Sequence, residues 1–199
     1  MRPRSQAARS QAITALHEQI RRCRRCRLWR TRLKAVPGEG PATATVMVVG
    51  EGPGRREDEQ GRPFVGAAGR VLDDLLAEAG LRRDEIYITN VVKSHPTDRR
   101  AGPNRAPRPD EAAACRHWLE EQLAILRPRL ILTLGAHALA AFDPAAKLSA
   151  VHGRAIHLEG RTILPLYHPA AALYGMARET LRADARKIRP QLRGLGGRP

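Results

Sequence analysis

Residues 43–50, TATVMVVG, form a β-branched, apolar run with no polar alternation. A strand with one wet face alternates apolar and polar residues. A strand without alternation is buried on both faces, which in an α/β chain means a parallel strand covered by helices. Similar runs recur, EIYITNVV at 85–92 and RLILTLG at 129–135, while RAIHLEGRTILPLYHP reads as a hairpin or strand pair around Glu159-Gly160. Helical spacing lies between them. Ala12, Ile13, Leu16 and Ile20 predict a helix over 5–28 that runs into a CxxC, and AAGRVLDDLLAEAG predicts one over 67–79 capped by Gly80. A helix over 110–126 with Asp110 as N-cap, a short one in AHALAAF, and helical character over 170–192 complete the pattern, with 193–199 a flexible tail. The expected fold class is α/β: one domain over 1–199, a three-layer α/β/α sandwich around a mostly parallel four-stranded sheet.

In such sheets ligands bind beyond the carboxyl ends of the strands. Three loops meet that condition: GEGPG after the first strand, TN closing the second and YHP closing the last. GEGPG is not a dinucleotide-binding turn. Pro53 separates its glycines, and about a dozen mostly polar residues are expected before helical periodicity resumes, whereas a dinucleotide loop opens straight into a helix. Gly50, Gly52 and Gly54 instead allow main-chain N–H groups close to a ligand. Phe64, in GRPFVG, stands beside Pro63 in a polar loop; it is either a stacking platform for a nucleobase or a plug onto the core. Taken alone, Asn90 could be a turn former, and His168-Pro169 a helix start with Pro at N1.

Thirty-five Lys and Arg against 20 Asp and Glu give a formal charge of +15. Genomic preference accounts for arginine over lysine, but not for an excess of cations, which points to a polyanion partner such as DNA. No apolar stretch is long enough to span a membrane. The basic N-terminus lacks the apolar segment of a signal peptide, and three cysteines make a poor disulfide framework, so a reducing cytoplasm is expected. Nothing in the sequence suggests other than a monomer.

GEGPGRREDEQGRPFVGAAG, YITNVVK and YHPAA, in this order with the CxxC, resemble the iron–sulfur-containing family 4 of the uracil-DNA glycosylase superfamily. The resemblance implies base flipping and hydrolysis of the uracil N-glycosidic bond, which starts base-excision repair in uracil-containing DNA. It assigns Asn90 to the uracil O4/N3 edge, His168 to O2 and the leaving uracilate, and Phe64 to stacking. Backbone N–H groups near Gly50, Glu51 and Gly52 would add donors for O2. Glu57 would crowd C5 against thymine's methyl, and Glu51 would orient water. Gly52 stands where a better-known branch has a water-activating Asp, which implies a dissociative reaction dominated by leaving-group stabilisation. Leu173 or Tyr174 would fill the space left by the flipped base, and Arg99, Arg100 and Arg105 would hold phosphates. Lone His117, His137 and His152 are assigned no chemistry.

The resemblance also implies a 4Fe–4S cluster. Cys23, Cys26 and Cys115 occupy three family positions, but the fourth, Cys in the family, is Ser94 here, followed by His95. The expected set is three cysteines with His95 or Ser94, with a three-cysteine cluster or zinc as alternatives. A related branch captures the sugar covalently through a His in the loop after this position. No His lies between Pro96 and Cys115, which disfavours crosslinking. The competing readings are a non-excising or crosslinking uracil-DNA-binding relative, and a nucleotide-binding α/β protein of unrelated chemistry.

Overall fold

The computed structural model describes residues 5–158 and 160–195. Five strands lie in the order β2-β1-β3-β5-β4, where β1 is Val46–Gly50, β2 Tyr87–Asn90, β3 Leu130–Leu134, β4 Ile156–Leu158 and β5 Arg161–Leu166. Four run parallel; β4 pairs antiparallel with β5 at one edge. The expected four-stranded sheet is thus corrected to five. The three-residue β4, with exposed His157 at its middle, carries too little pattern to be separated from the turn. Glu159, at the expected turn, lies outside the described residues, as do 196–199 of the expected tail; Arg193 closes a helix.

Both faces of the sheet are covered. Val46, Val48, Leu130, Leu132 and Leu164 pack in one core with α3 (Ala67–Ala79), α7 (Arg178–Arg186) and α8 (Ile188–Arg193). Met47, Val49, Ile131 and Ile163 point the other way, into a core with α1 (Gln6–Arg22) and α4 (Pro109–Leu126). Each large aliphatic side chain so buried stabilises the fold by about 1.5–3 kcal/mol, and burial on both sides explains why the strands show no alternation.

Local boundaries differ from the sequence reading where side chains or glycines intervene. α1 ends at Arg22, because Cys23 turns extended (ψ 136), and a 3-10 turn follows over Arg27–Arg30. The segment after GEGPG is no irregular spacer: a six-residue helix, α2 (Arg55–Gln60), starts at once and ends at Gly61 in the left-handed region (φ 75). α4 is capped by Arg108 rather than Asp110. Pro109 takes the first helical position, and the Glu111 carboxylate accepts the Arg108 N–H at 2.8 Å. Two short helices, α5 (Ala136–Ala140) and α6 (Leu148–Val151), follow β3. The expected helix over 170–192 is broken: a 3-10 turn over Pro169–Tyr174 stops at Gly175 (φ 98) before α7 begins.

The Arg-rich loop before α4 is pinned from within. Arg105 donates both Nη groups to the carboxylate of the fully buried Glu111, each at 2.8 Å, and its Nε to Asp98 at 3.0 Å. These bonds hold the Glu111 carboxyl below its ordinary range. Glu111→Gln keeps the volume but loses the charge and one acceptor, so a stability loss of about 1–3 kcal/mol is expected, read as a lower denaturant midpoint with an unchanged slope.

Candidate active site

The β1–β2 register sets Gly50 directly opposite Asn90. A Cβ at Gly50 would lie 2.4 Å from Asn90 Oδ1 and 2.6 Å from the Phe64 ring. Gly50 is therefore required by the neighbouring side chains, and does not itself line the pocket, where the sequence suggested close approach of main chain to ligand. Phe64 is held at φ 51. Gly69 of α3 makes that possible, since a Cβ there would sit 1.9 Å from the Phe64 carbonyl oxygen. Arg83 secures the same turn, donating to the Pro63 and Phe64 carbonyls at 2.5 and 3.2 Å. Nothing in the sequence points to this clamp, because Arg83 lies outside every motif.

The Phe64 ring stacks with that of His168, their centroids 5.8 Å apart and 30° between planes. With Asn90 the two rings line one cavity of about 290 Å³. Phe64, 7% exposed, packs into the core beside Val46, Val48 and Leu72, as the plug reading expects, and also lines the pocket; Asn90, 1% exposed, lines the same pocket. Asn90 Oδ1 is buried with no hydrogen-bond partner among the described residues. Such an acceptor costs about 1–3 kcal/mol unless a ligand supplies a donor. His168 Nδ1 accepts the Ala170 N–H at 3.1 Å, which places the ring proton on Nε2. Burial pulls the imidazole down to about 4, the Glu57 carboxylate opposing. At neutral pH His168 is thus an uncharged donor.

Glu57 lies in the same wall, but its carboxylate is already in use. It accepts from the N–H groups of Gly54, Val65 and Gly66, at 3.1, 2.8 and 2.8 Å. Gly52 and Gly54 also line the cavity, and Leu173 and Tyr174, 47% and 87% exposed, stand at its rim. Glu51 is turned into an adjoining depression that shares Gly52, Asn104, His168 and Tyr174 with the cavity. There His137 Nδ1 lies 2.8 Å from Glu51 Oε2, giving a partner to a histidine the sequence reading left unassigned. Its position at the start of a helix after a strand tip was the available signal. Of the three arginines expected at phosphates, Arg99 and Arg100 are exposed, while Arg105 is taken by Glu111 and Asp98.

Behind the cavity, fully buried Lys93 donates to Asn90 O at 2.6 Å, Gln122 Oε1 at 2.7 Å and Thr89 Oγ1 at 2.8 Å. Burial lowers its ammonium to about 7. Its N–H points at Cys115 Sγ, 3.2 Å away, and Trp118 Nε1 at Cys23 Sγ, 3.4 Å away. Burial holds the Arg32 guanidinium below its ordinary value, with nearby Cys23, Cys26 and Cys115 opposing, and Arg32 donates to Ser94 Oγ at 3.0 Å. His95 is buried, with Nε2 2.7 Å from Asn104 Oδ1 and Nδ1 without a partner among the described residues.

A strand-tip pocket combining a stacking ring, an amide and a neutral imidazole defines a base-recognising α/β protein. The uracil DNA glycosylase superfamily model matches residues 37–193, and the chain belongs to that superfamily, in its type-4 group. It is 40% identical to a type-4 uracil-DNA glycosylase of Sulfurisphaera tokodaii, over 89% of this chain and 84% of that one. It is 41% identical to that of Thermotoga maritima (87% and 90%) and 40% to that of Archaeoglobus fulgidus (89% and 92%).

Gly50→Ala is the sharpest test of the packing beneath the cavity. Its methyl displaces Asn90 or Phe64, so excision of uracil from an oligonucleotide should fall at least 100-fold, on the order of a lost transition-state donor, while the circular dichroism spectrum stays unchanged.

Proposed function

We infer that the chain is a uracil-DNA glycosylase: it draws uracil out of DNA, hydrolyses its N-glycosidic bond and leaves an abasic site. The observation that carries this reading is the Asn90 Oδ1, buried without a hydrogen-bond partner among the described residues in the wall of the cavity that the Phe64 and His168 rings also line. A flat ring with an N–H flanked by two carbonyls satisfies it. Uracil N3–H donates to Oδ1, the Asn90 amide N–H donates to O4, and Phe64 stacks on the face. The carboxylate of Glu57, fixed by three backbone N–H groups, leaves a rigid wall against a C5 methyl.

As the C1′–N1 bond breaks, its electron pair moves onto the base and charge gathers at O2. His168 Nε2–H, already oriented by the Ala170 bond, meets that charge without moving a proton. Glu51, held by His137, orients the water that adds to C1′ and takes its proton, and the uracilate leaves to be protonated in solvent. Leu173 or Tyr174 occupies the vacated stack. The exposed Arg99 and Arg100 meet phosphates; Arg105 instead shapes the loop that carries them.

The thiols of Cys23, Cys26 and Cys115, with His95 Nδ1, would hold a 4Fe–4S cluster. Two features support the fit: N–H groups aimed at two of the sulfurs, and a buried ring nitrogen left unpaired by the bond of His95 to Asn104. Burial pushes the Cys115 thiol up to about 11, so only a metal displaces its proton at neutral pH. Bound there, the cluster supplies a structural tie between α1, the CxxC and α4, in a chain suited to the reducing cytoplasm.

A uracil oligonucleotide treated with the protein and then alkali should break at the abasic site; a retarded covalent adduct, or no product, would favour the non-excising reading. His168→Ala should slow excision on the order of 10²–10³-fold. Because the folded imidazole titrates near 4, below its ordinary 6.5, the wild-type rate should show no inflection near 6.5 and should fall only as pH approaches 4. By the same sign, the stability His168 contributes is complete above 6.5 and lost as pH drops toward 4. His95→Ala should lower the iron content per chain and the visible charge-transfer absorption; unchanged iron would remove His95 from the ligand set.

A further inference from the structure

We propose that a second nucleic-acid site lies beside the base pocket: a basic groove in which Trp29 stacks on an unpaired base of the same DNA strand. The proposal rests on the glycosylase reading for which strand is bound. Between Glu18 and Glu39 the chain carries eight cations, seven Arg and Lys34, and no acid. Five of them, Arg21, Arg22, Arg24, Arg32 and Lys34, line a groove of about 740 Å³ together with Trp29. Outside this groove the arginines at 55, 56, 82, 83, 105, 108, 116 and 186 each face a carboxylate, and Arg62 at the groove's edge faces Glu39. Among the described residues, Arg21, Arg22, Arg24 and Lys34 face none within ion-pair distance, and all four are exposed. Unmatched, exposed cations in one groove are what phosphates neutralise, releasing their counterions.

The aromatic turns this from a phosphate patch into a single-strand site. Trp29 is 36% exposed, an uncommon position for the largest apolar ring. Its faces are occupied by flat cations, Arg24 and Arg30, 5.0 and 5.6 Å from the ring centroid. A nucleobase takes the same place over the indole, and the displaced guanidinium turns to the adjoining phosphate. A duplex offers no free base face for this contact.

Helix α2 joins the two sites. Its first turn, Arg55 to Glu57, lines the base pocket; its last residue Gln60, with Gly61 and Arg62, lines the groove. Six helical residues span about 9 Å, a length that a few nucleotides of unpaired strand cover. The connection is rigid, because the buried Asp58 of α2 accepts the Leu33 N–H at 3.0 and 2.9 Å and the Lys34 N–H at 3.3 Å. A strand with uracil in the pocket thus runs along α2 into the groove that holds the indole.

Binding is read by fluorescence anisotropy on a uracil-free single strand of about 12 nucleotides at about 100 mM salt, so it does not depend on excision. Trp29→Ala should weaken it on the order of 10-fold, Trp29→Phe should restore most of it, and Lys34→Ala should lower the salt slope by about 0.7. Excision from a uracil-centred trinucleotide, too short to reach the groove, should be the same in all three variants and wild type. The proposal is overturned if Trp29→Ala binds the long strand as wild type does, or if its loss is confined to duplex DNA. Equal loss of trinucleotide excision in Trp29→Ala also overturns it, since the defect then lies in the pocket. Should wild type bind the strand through Trp29 yet excise nothing, the groove stands and the glycosylase reading falls.

Discussion

The last residue of β1 has no side chain, and the site depends on that vacancy. Two side chains from different parts of the chain, the Asn90 amide and the Phe64 ring, occupy the volume a Cβ at Gly50 would need. Parallel pairing fixes the first of them, because the register sets Asn90 against Gly50 at the strand tips. The second arrives from a loop whose own geometry needs another absent side chain, at Gly69, and a guanidinium clamp from Arg83. His168 then closes the arrangement from the tip of β5, stacked against Phe64. Four segments distant in sequence meet because a twisted parallel sheet gathers its carboxyl ends along one edge.

Polar groups in this region are bought into place by neighbours rather than by solvent. Lys93, without a carboxylate partner among its hydrogen bonds, fastens the Asn90 carbonyl, Thr89 and Gln122 under the pocket floor. The same residue's N–H reaches Cys115, so the floor of the base pocket and the thiol-bearing helix share one residue. Glu57 spends its carboxylate on three N–H groups, and Arg105 spends its guanidinium on Glu111. In each case a charge that reads as available in the sequence is committed to shape. What stays uncommitted among the described residues is the more telling set: Asn90 Oδ1 in the pocket, His95 Nδ1, and the cations Arg21, Arg22 and Lys34 of the Trp29 groove.

The sheet was legible because its strands are continuous apolar runs, and β1, β2, β3 and β5 fall where those runs lie. Helix α3 was legible to the residue, since its amphipathic repeat ends in Gly80, left-handed at φ 74. α2 was not: six mostly charged residues carry no apolar stripe, and the helix is set by the Glu57 cap and Gly61. Nor was the Arg108 cap, which Pro109 and Glu111 impose against the stronger intrinsic preference for Asp110. The break at Gly175 was similarly hidden, because composition on both sides of it is helical.

By itself the sequence determined the doubly covered sheet, the three loops at its strand tips, and the kinds of side chain they carry. Burial on two faces leaves a compositional trace, and strand-end motifs stay local in sequence. Only the tertiary structure decided which of those side chains remain free to act. Whether Arg105 holds a phosphate or a carboxylate, or Glu51 meets His137, depends on groups up to many tens of residues away. Hydrogen-bond saturation is a property of three-dimensional neighbourhoods, and no spacing along a chain records it.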